Sequence, residues 1–124
     1  MASKQRFKVS VRRGVARVTL CAPEDGNRFD SPMARAFGEA LQKAGEREDV
    51  KGVVVSGEGQ DFCLGRTPPK GPLAPHAKGI RDQVAAPMLS ALAAIRATPV
   101  PVVMVVQGQA RGFGCSLAGH GDIT

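Results

Sequence analysis

The most informative stretch of the sequence is VPVVMVVQGQARGFGCSLAGH, residues 100–120. Its first part is apolar almost without interruption, which is typical of a strand covered on both faces of a sheet. Three glycines and small polar residues follow, and the last residues resemble the start of a helix. The stretch therefore predicts a helix N-terminus at about Gly112 to Cys115, where unpaired backbone N–H groups and the positive end of the helix dipole coincide.

Two common phosphate-binding patterns are absent from this glycine-rich turn. A dinucleotide-binding turn needs G-x-G-x-x-G, whereas the order from Gly108 to Gly114 is G-x-x-x-G-x-G, and the chain has no G-x-x-x-x-G-K-[ST]. The helix N-terminus that remains would suit a developing oxyanion. The alternative is a tight strand-to-helix turn in which the glycines serve packing alone.

The N-terminal half predicts a hairpin, a helix and a strand. FKVSV and VARVTLC alternate apolar and polar residues on either side of Arg13-Gly14, as in a β-hairpin. Ser31 is expected to be the N-cap and Pro32 the first residue of a helix that ends near residue 46. KGVVVSG, residues 51–57, then predicts a short buried strand.

A proline-rich loop and a second helix precede the decisive stretch. The loop TPPKGPLAPHAKG, residues 67–79, is interpreted as mobile or ligand-covering, with His76 exposed to solvent. The second helix is expected over 80–97, with Pro87 as a kink or a late start. GDIT, residues 121–124, looks like the beginning of another strand. This order of strands and helices indicates one α/β domain over residues 1–124.

Charge and cysteine content narrow the function classes. The chain has 17 basic and 11 acidic residues, and the excess comes from six basic residues that precede the first acid, Glu24. Without Trp or Tyr to stack bases, this charge argues weakly for nucleic acid and fits a solvated sheet edge. Three cysteines without a C-x-x-C pair indicate neither a disulfide framework nor a metal site, which fits a reducing cytoplasm. No apolar stretch reaches the roughly 20 residues that span a membrane. An organelle transit peptide stays open.

Three segments in order resemble one known family. GVARVTLCAPEDGNRF (14–29), DVKGVVVSGEGQDFCLGR (49–66) and PVPVVMVVQGQARGFGCSLAGHGDI (99–123) are similar to the N-terminal part of the crotonase, or enoyl-CoA hydratase/isomerase, superfamily. The resemblance implies an α/β fold, a spiral of ββα units, that is truncated here. It also implies that C-terminal units and helices used in trimer assembly are missing. A trimer or hexamer is expected of the whole family member.

The resemblance assigns roles residue by residue. In the family, two backbone N–H groups bind the thioester oxygen, and the matching positions are Arg66 and Phe113. Coenzyme A would enter as part of the substrate, with no covalently bound cofactor. The expected coenzyme A-binding positions are Arg28, Phe29, Leu64, Gly65, Gly112 and Gly114.

The family's acid–base residues are not matched. Ser116 stands where a hydratase has its first catalytic glutamate, and the resemblance places the second glutamate beyond Thr124. A hydroxyl cannot replace a carboxylate as a general base near neutral pH without activation. His120, four residues after Ser116, could activate it from the same helix face, although nothing marks a third, orienting group. Acyl-CoA transformation and a non-catalytic acyl-CoA-binding or interaction fragment therefore both stay open.

Overall fold

The computed structural model describes residues 5–68, 71–72 and 76–124. Four strands form one sheet in the order β1-β2-β3-β4. β1 pairs antiparallel with β2, whereas β2, β3 and β4 run parallel to one another. The strands are β1 (Phe7–Arg12), β2 (Val15–Leu20), β3 (Gly52–Gly57) and β4 (Val102–Met104).

The predicted hairpin is confirmed. Arg13 and Gly14 both have positive φ angles, 52° and 79°. A two-residue hairpin turn needs positive φ at both positions if its twist is to match that of the two strands. Ala16, Val18 and Leu20 share one face and are fully buried.

The last strand is shorter and more open than its sequence predicts. Only three of its residues pair with β3, and the exposed fractions of Val105 and Val106 are 50% and 37%. Val54 and Val103, which pair in adjacent strands, are only half-buried. The expectation of a strand covered on both faces is therefore wrong for the described residues, because Val103 between two buried neighbours stays partly exposed and apolar sequence alone cannot report this.

Helix α1 (Ser31–Glu46) begins one residue earlier than predicted. Its N-cap is Asp30, whose extended backbone lets the carboxylate accept a hydrogen bond from the Met33 amide at 2.8 Å. Ser31 is thus the first helical residue rather than the cap, and its hydroxyl donates to the Gln83 carbonyl oxygen. This bond fastens the start of α1 to the second helical region.

The second helical region starts before residue 80 and has a π turn. It comprises α2 (Ala77–Ile80), a π turn (Arg81–Ala85) and α3 (Ala86–Ala97). Pro87 explains the π turn, because a proline ring in a regular helix collides with the carbonyl four residues earlier. The exposed His76 caps α2 by accepting a hydrogen bond from the Gly79 amide. The remainder of the predicted loop lies partly outside the described residues.

Helix α4 (Phe113–Gly119) follows the glycine-rich turn, as predicted. After it, Ile123 forms a single parallel bridge with Val103, and the Asp122 carboxylate accepts a hydrogen bond from the Val102 amide at 2.8 Å. The strand expected at GDIT is therefore present as one bridge.

A row of four aromatic rings connects the sheet, α1 and α4. The rings of Phe7, Phe37, Phe29 and Phe113 meet edge to face, with successive centroid separations of 6.0, 5.4 and 5.0 Å. Edge-to-face pairs stabilise a core beyond the burial of their area. The row extends the apolar core directly to the N-terminus of α4.

Candidate functional site

Two backbone segments lie side by side at the predicted site. We call residues 62–67 the ladder segment and residues 107–114 the glycine turn. Cys63 and Ala110 form a parallel bridge, and the Arg111 amide donates to the Cys63 carbonyl oxygen at 3.0 Å. The two segments that the sequence separates by 40 residues or more are thus joined by backbone hydrogen bonds.

The direction of the Arg66 amide is set by a parallel backbone bridge with Phe29. The Phe29 amide donates to the Gly65 carbonyl oxygen at 3.0 Å, and the Thr67 amide donates to the Phe29 carbonyl oxygen at 2.7 Å. In such a parallel bridge the N–H of the middle residue, Arg66, points away from the partner strand. Within residues 5–68, 71–72 and 76–124 it donates to no backbone or side-chain acceptor.

The Phe113 amide is oriented by the glycine before it. Gly112 has φ 51° and ψ −120°, a conformation that glycine tolerates and other residues avoid. Phe113 is the first residue of α4, so its N–H has no partner within the helix, and the described residues supply no other acceptor. A Cβ at Gly65 would lie 3.9 Å from the Phe113 nitrogen, so the two segments approach each other closely here.

The close approach depends on a second glycine. A Cβ at Gly114 would overlap the Cys63 carbonyl oxygen, which leaves no room for any side chain.

Burial raises the pKa of the Cys63 thiol, so this side chain is part of the apolar core and is not a reactive thiolate. Cys115, by contrast, is exposed on α4.

The side chains of the two amide residues have separate partners. The half-buried Arg66 guanidinium donates to the Thr67 carbonyl oxygen at 3.4 Å. The Phe113 ring packs on Phe29, which is completely buried. Any contact of Phe29 with a ligand would therefore have to use its main chain.

Arg28 and Leu64, the other expected coenzyme A-binding residues, also have local partners. The Arg28 guanidinium donates to the Asp25 carbonyl oxygen at 2.9 Å, and its own carbonyl oxygen accepts from Arg6 at the same distance. The Leu64 amide donates to the Gly26 carbonyl oxygen at 2.9 Å. The bond from Leu64 holds this turn against the ladder segment, and the bond from Arg6 joins it to the residue before β1.

Ser116 and His120 are close, but the contact is not the one that activation needs. The His120 Nδ1 lies 2.6 Å from the backbone carbonyl oxygen of Ser116, so the ring engages the main chain. Ser116 is exposed, and its amide donates to the Gly112 carbonyl oxygen. The arrangement gives no support to a histidine-activated hydroxyl.

Sequence reasoning missed Asn27, which is the one buried polar residue of the described chain. The turn composition DGN at residues 25–27 was a signal for it, because asparagine readily adopts the left-handed conformation that Asn27 has, with φ 56°. Nothing in the sequence alone could show which carbonyl groups its side chain contacts.

A groove of about 440 Å³ lies between α1 and α3, away from the paired amides. Its lining contains polar and apolar residues but no feature that corresponds to the predicted chemistry, so the paired amides, rather than the groove, define the candidate site. Its lining residues are Gln42, Glu46, Ala94, Ala97, Thr98 and Pro99.

The described residues contain neither a membrane-spanning helix nor a cluster of metal-binding side chains. No helix there has both the length and the apolar character needed to cross a membrane. The same residues contain no group of three or more His, Cys, Asp or Glu side chains that could hold a metal ion.

The fold matches solved structures of one class. An enoyl-CoA hydratase/carnithine racemase from Magnetospirillum magneticum superposes with a TM-score of 0.87 at 28% identity, covering 98% of this chain and 46% of that one. An enoyl-CoA hydratase from Mycobacterium avium subsp. paratuberculosis gives 0.81 at 30% identity, with 98% and 47% covered. The architecture is therefore the mixed α/β fold of crotonase-type proteins.

The amino-acid sequence matches the same class of proteins as the fold does. The model of the enoyl-CoA hydratase/isomerase family matches residues 10–124, and the chain belongs to that family. The chain is 32% identical over 119 residues to 1,2-epoxyphenylacetyl-CoA isomerase of Escherichia coli. That alignment covers 91% of this chain and 44% of the relative. A probable enoyl-CoA hydratase of Rhodobacter capsulatus is 29% identical, with 98% and 46% covered. The chain thus spans about half the length of the curated relatives it matches.

Proposed function

We propose that this protein binds acyl-CoA thioesters and polarises their carbonyl group through the backbone amides of Arg66 and Phe113. The observation that carries the proposal is that both amides, on segments joined at Cys63, have no acceptor within the described part of the chain. Backbone N–H groups are rarely left without a partner unless solvent or a ligand supplies one. A thioester oxygen between them would accept both hydrogen bonds.

Such a pair of donors acts on charge that develops during reaction. When a thioester forms an enolate, negative charge accumulates on its oxygen, and each pre-oriented N–H contributes about 3 kcal/mol to that state. Because both donors belong to the main chain, any residue except proline supplies them, which accommodates Arg66 and Phe113 in place of smaller family residues. Gly65, Gly112 and Gly114 provide the torsions and the space for this arrangement.

The reaction belongs to the enoyl-CoA hydratase/isomerase type, with coenzyme A as part of the substrate and no covalently bound cofactor. Ser116 stands in place of the first family glutamate, so we do not expect residues 1–124 alone to hydrate an enoyl-CoA. Isomerase-like enolate chemistry, in cytoplasmic fatty acid metabolism, stays within the proposal. The whole protein is expected to form trimers or hexamers.

A second candidate is non-catalytic binding of acyl-CoA or of another protein. The observation that favours it is the engagement of the His120 Nδ1 with the Ser116 carbonyl oxygen, so that this nitrogen does not serve as a base for the exposed Ser116 hydroxyl. Both candidates use the same paired amides when the ligand is acyl-CoA. They differ in whether the bound thioester is turned over.

The experiment compares Phe113→Pro with Phe113→Leu in calorimetric titrations with butyryl-CoA. Both variants lose the ring contact with Phe29, but only proline removes the amide donor. Proline is well tolerated at the first position of a helix, so the comparison isolates the hydrogen bond. We expect Phe113→Leu to bind and Phe113→Pro to bind more weakly. Equal affinities would overturn the assignment.

A further inference from the structure

Asn27 lies at the centre of the backbone that positions the Arg66 amide. Its side chain is completely buried, and its φ of 56° belongs to the left-handed region. A buried carboxamide is costly unless its donors and acceptors are satisfied. Its hydrogen bonds therefore show which parts of the chain depend on it.

The carboxamide joins three parts of the chain. Oδ1 accepts a hydrogen bond from the Ala22 amide at 2.9 Å. Nδ2 donates toward the carbonyl oxygens of Glu58 at 2.9 Å, Asp61 at 3.2 Å and Phe62 at 3.1 Å. Oδ1 faces only a donor and Nδ2 faces only acceptors. The assignment of oxygen and nitrogen in this carboxamide is therefore unambiguous.

These carbonyl groups belong to the chain that leads into the ladder segment. Phe62 precedes Cys63, whose carbonyl oxygen holds Arg111 of the glycine turn. On the other side of Asn27, the carbonyl oxygen of Gly26 accepts from the Leu64 amide. A Cβ at Gly57 would lie 3.0 Å from Nδ2, so the end of β3 also packs on this carboxamide. The residues before and after Cys63 are thus held by one turn.

We infer that Asn27 is a positioning residue for the Arg66 amide: its carboxamide fixes the carbonyl groups of residues 58–62 and thereby the direction in which the ladder segment presents that N–H. The inference rests on the proposed function, since only a bound carbonyl reports that direction. Asn27 itself does not reach the ligand, because its hydrogen bonds are all to the backbone.

Two substitutions remove the donor in different ways. Asn27→Asp has nearly the same shape and keeps an acceptor for Ala22, but it replaces Nδ2 with an oxygen that faces three carbonyl oxygens. Asn27→Gly suits the positive φ and leaves space for water, so it keeps the turn without the carboxamide. Leu41→Ala serves as the control, because Leu41 belongs to neither segment and its truncation weakens the core from the buried face of α1.

The readout is the carbonyl stretching frequency of butyryl-CoA, labelled with carbon-13 at the carbonyl, on binding to the protein at its natural length. Hydrogen bonds from the two amides lower this frequency in the unmodified protein. We expect both Asn27 variants to lose most of that lowering while they keep their affinity for free coenzyme A. Leu41→Ala should keep the shift in every molecule that remains folded, with folding checked by circular dichroism.

The outcomes separate the two proposals. If the unmodified protein does not bind the thioester, or binds it without a shift, both the proposed function and the inference fall. If it shows the shift and either folded Asn27 variant retains it in full, only the inference on Asn27 is overturned. An equal loss in folded Leu41→Ala would attribute the effect to general loosening and would overturn it as well.

Discussion

The two amides of the candidate site are held in different ways. Arg66 lies in the ladder segment, where hydrogen bonds from Phe29 and Thr67 on one side direct its N–H towards the other. Phe113 follows Gly112, whose backbone torsions and the absence of a Cβ at Gly114 place it at the start of α4. The ladder segment thus depends on pairing that many side chains allow, whereas the glycine turn depends on glycine itself. Residue 66 can therefore vary where Gly112 and Gly114 cannot.

The largest expected effect concerns hydration, which needs both paired amides and acid–base groups beside the glycine turn. Each carboxylate in such a role contributes about 10²–10⁴-fold in rate, and this chain has Ser116 at one position. We therefore expect the 124-residue chain to leave the conjugated absorbance of crotonyl-CoA unchanged at enzymatic time scales. Ser116→Glu tests whether a carboxylate at this point of α4 raises the rate. Ordinary enzymatic turnover by the unmodified chain would contradict this expectation.

A glycine substitution in α4 should have the next largest effect. In Gly114→Ala the new methyl group overlaps the Cys63 carbonyl oxygen, and overpacking of this kind costs about 1–3 kcal/mol. Gly119→Ala is the matched control in the same helix, because a Cβ there meets nothing within 4 Å. Urea unfolding should show a loss for Gly114→Ala and no loss for Gly119→Ala. Similar stabilities would mean that the glycine turn does not need its close approach.

A cysteine in the ladder segment, Cys63, and one directly after the glycine turn, Cys115, can be used to measure how exposed each region is. Burial keeps the pKa of Cys63 above that of an ordinary thiol, so this residue stays protonated at pH values where exposed thiols ionise. At mildly alkaline pH we expect a maleimide reagent to modify the exposed Cys115 first and Cys63 only after unfolding, as peptide mass mapping would show. Butyryl-CoA should slow the modification of Cys115. Early modification of Cys63 in the folded protein would contradict the described packing.

The smallest effect is expected for Arg66→Ala. Among the described residues, its half-buried guanidinium donates only one long hydrogen bond, to the Thr67 carbonyl oxygen, and a bond of this kind contributes about 0.5 kcal/mol or less. Butyryl-CoA affinity in a calorimetric titration should therefore change little in Arg66→Ala and fall in Arg66→Pro. A large loss in Arg66→Ala would show that the side chain, rather than the amide, meets the ligand.

Local patterns were enough to predict the hairpin, both long helices and the start of α4. Turn residues at Arg13-Gly14 and the helical spacing of apolar residues are set by near neighbours in the chain. The positions of Arg66 and Phe113 came from resemblance to a family, since two amides 47 residues apart leave no local signal.

Features that depend on distant contacts escaped prediction. Gly45 looks like a weakness of α1, yet a Cβ there would lie 2.8 Å from the Pro99 ring, so the glycine allows the chain after α3 to approach. At Gly38 a Cβ would make only an ordinary contact with Ala94, at 3.5 Å. Asn27 is buried only because residues 58–62 fold over it. Such contacts exist only after tertiary packing, so composition and periodicity cannot reveal them.

The most direct test of the paired amides compares two ligands that differ by one oxygen. Butyryl-CoA has the thioester carbonyl, and its thioether analogue, S-butyl-CoA, lacks it. Two neutral hydrogen bonds should favour the thioester by about tenfold in dissociation constant. We predict this preference for the unmodified protein and for Phe113→Leu, and a reduced preference for Phe113→Pro. Equal affinity of the unmodified protein for the two ligands would contradict the account.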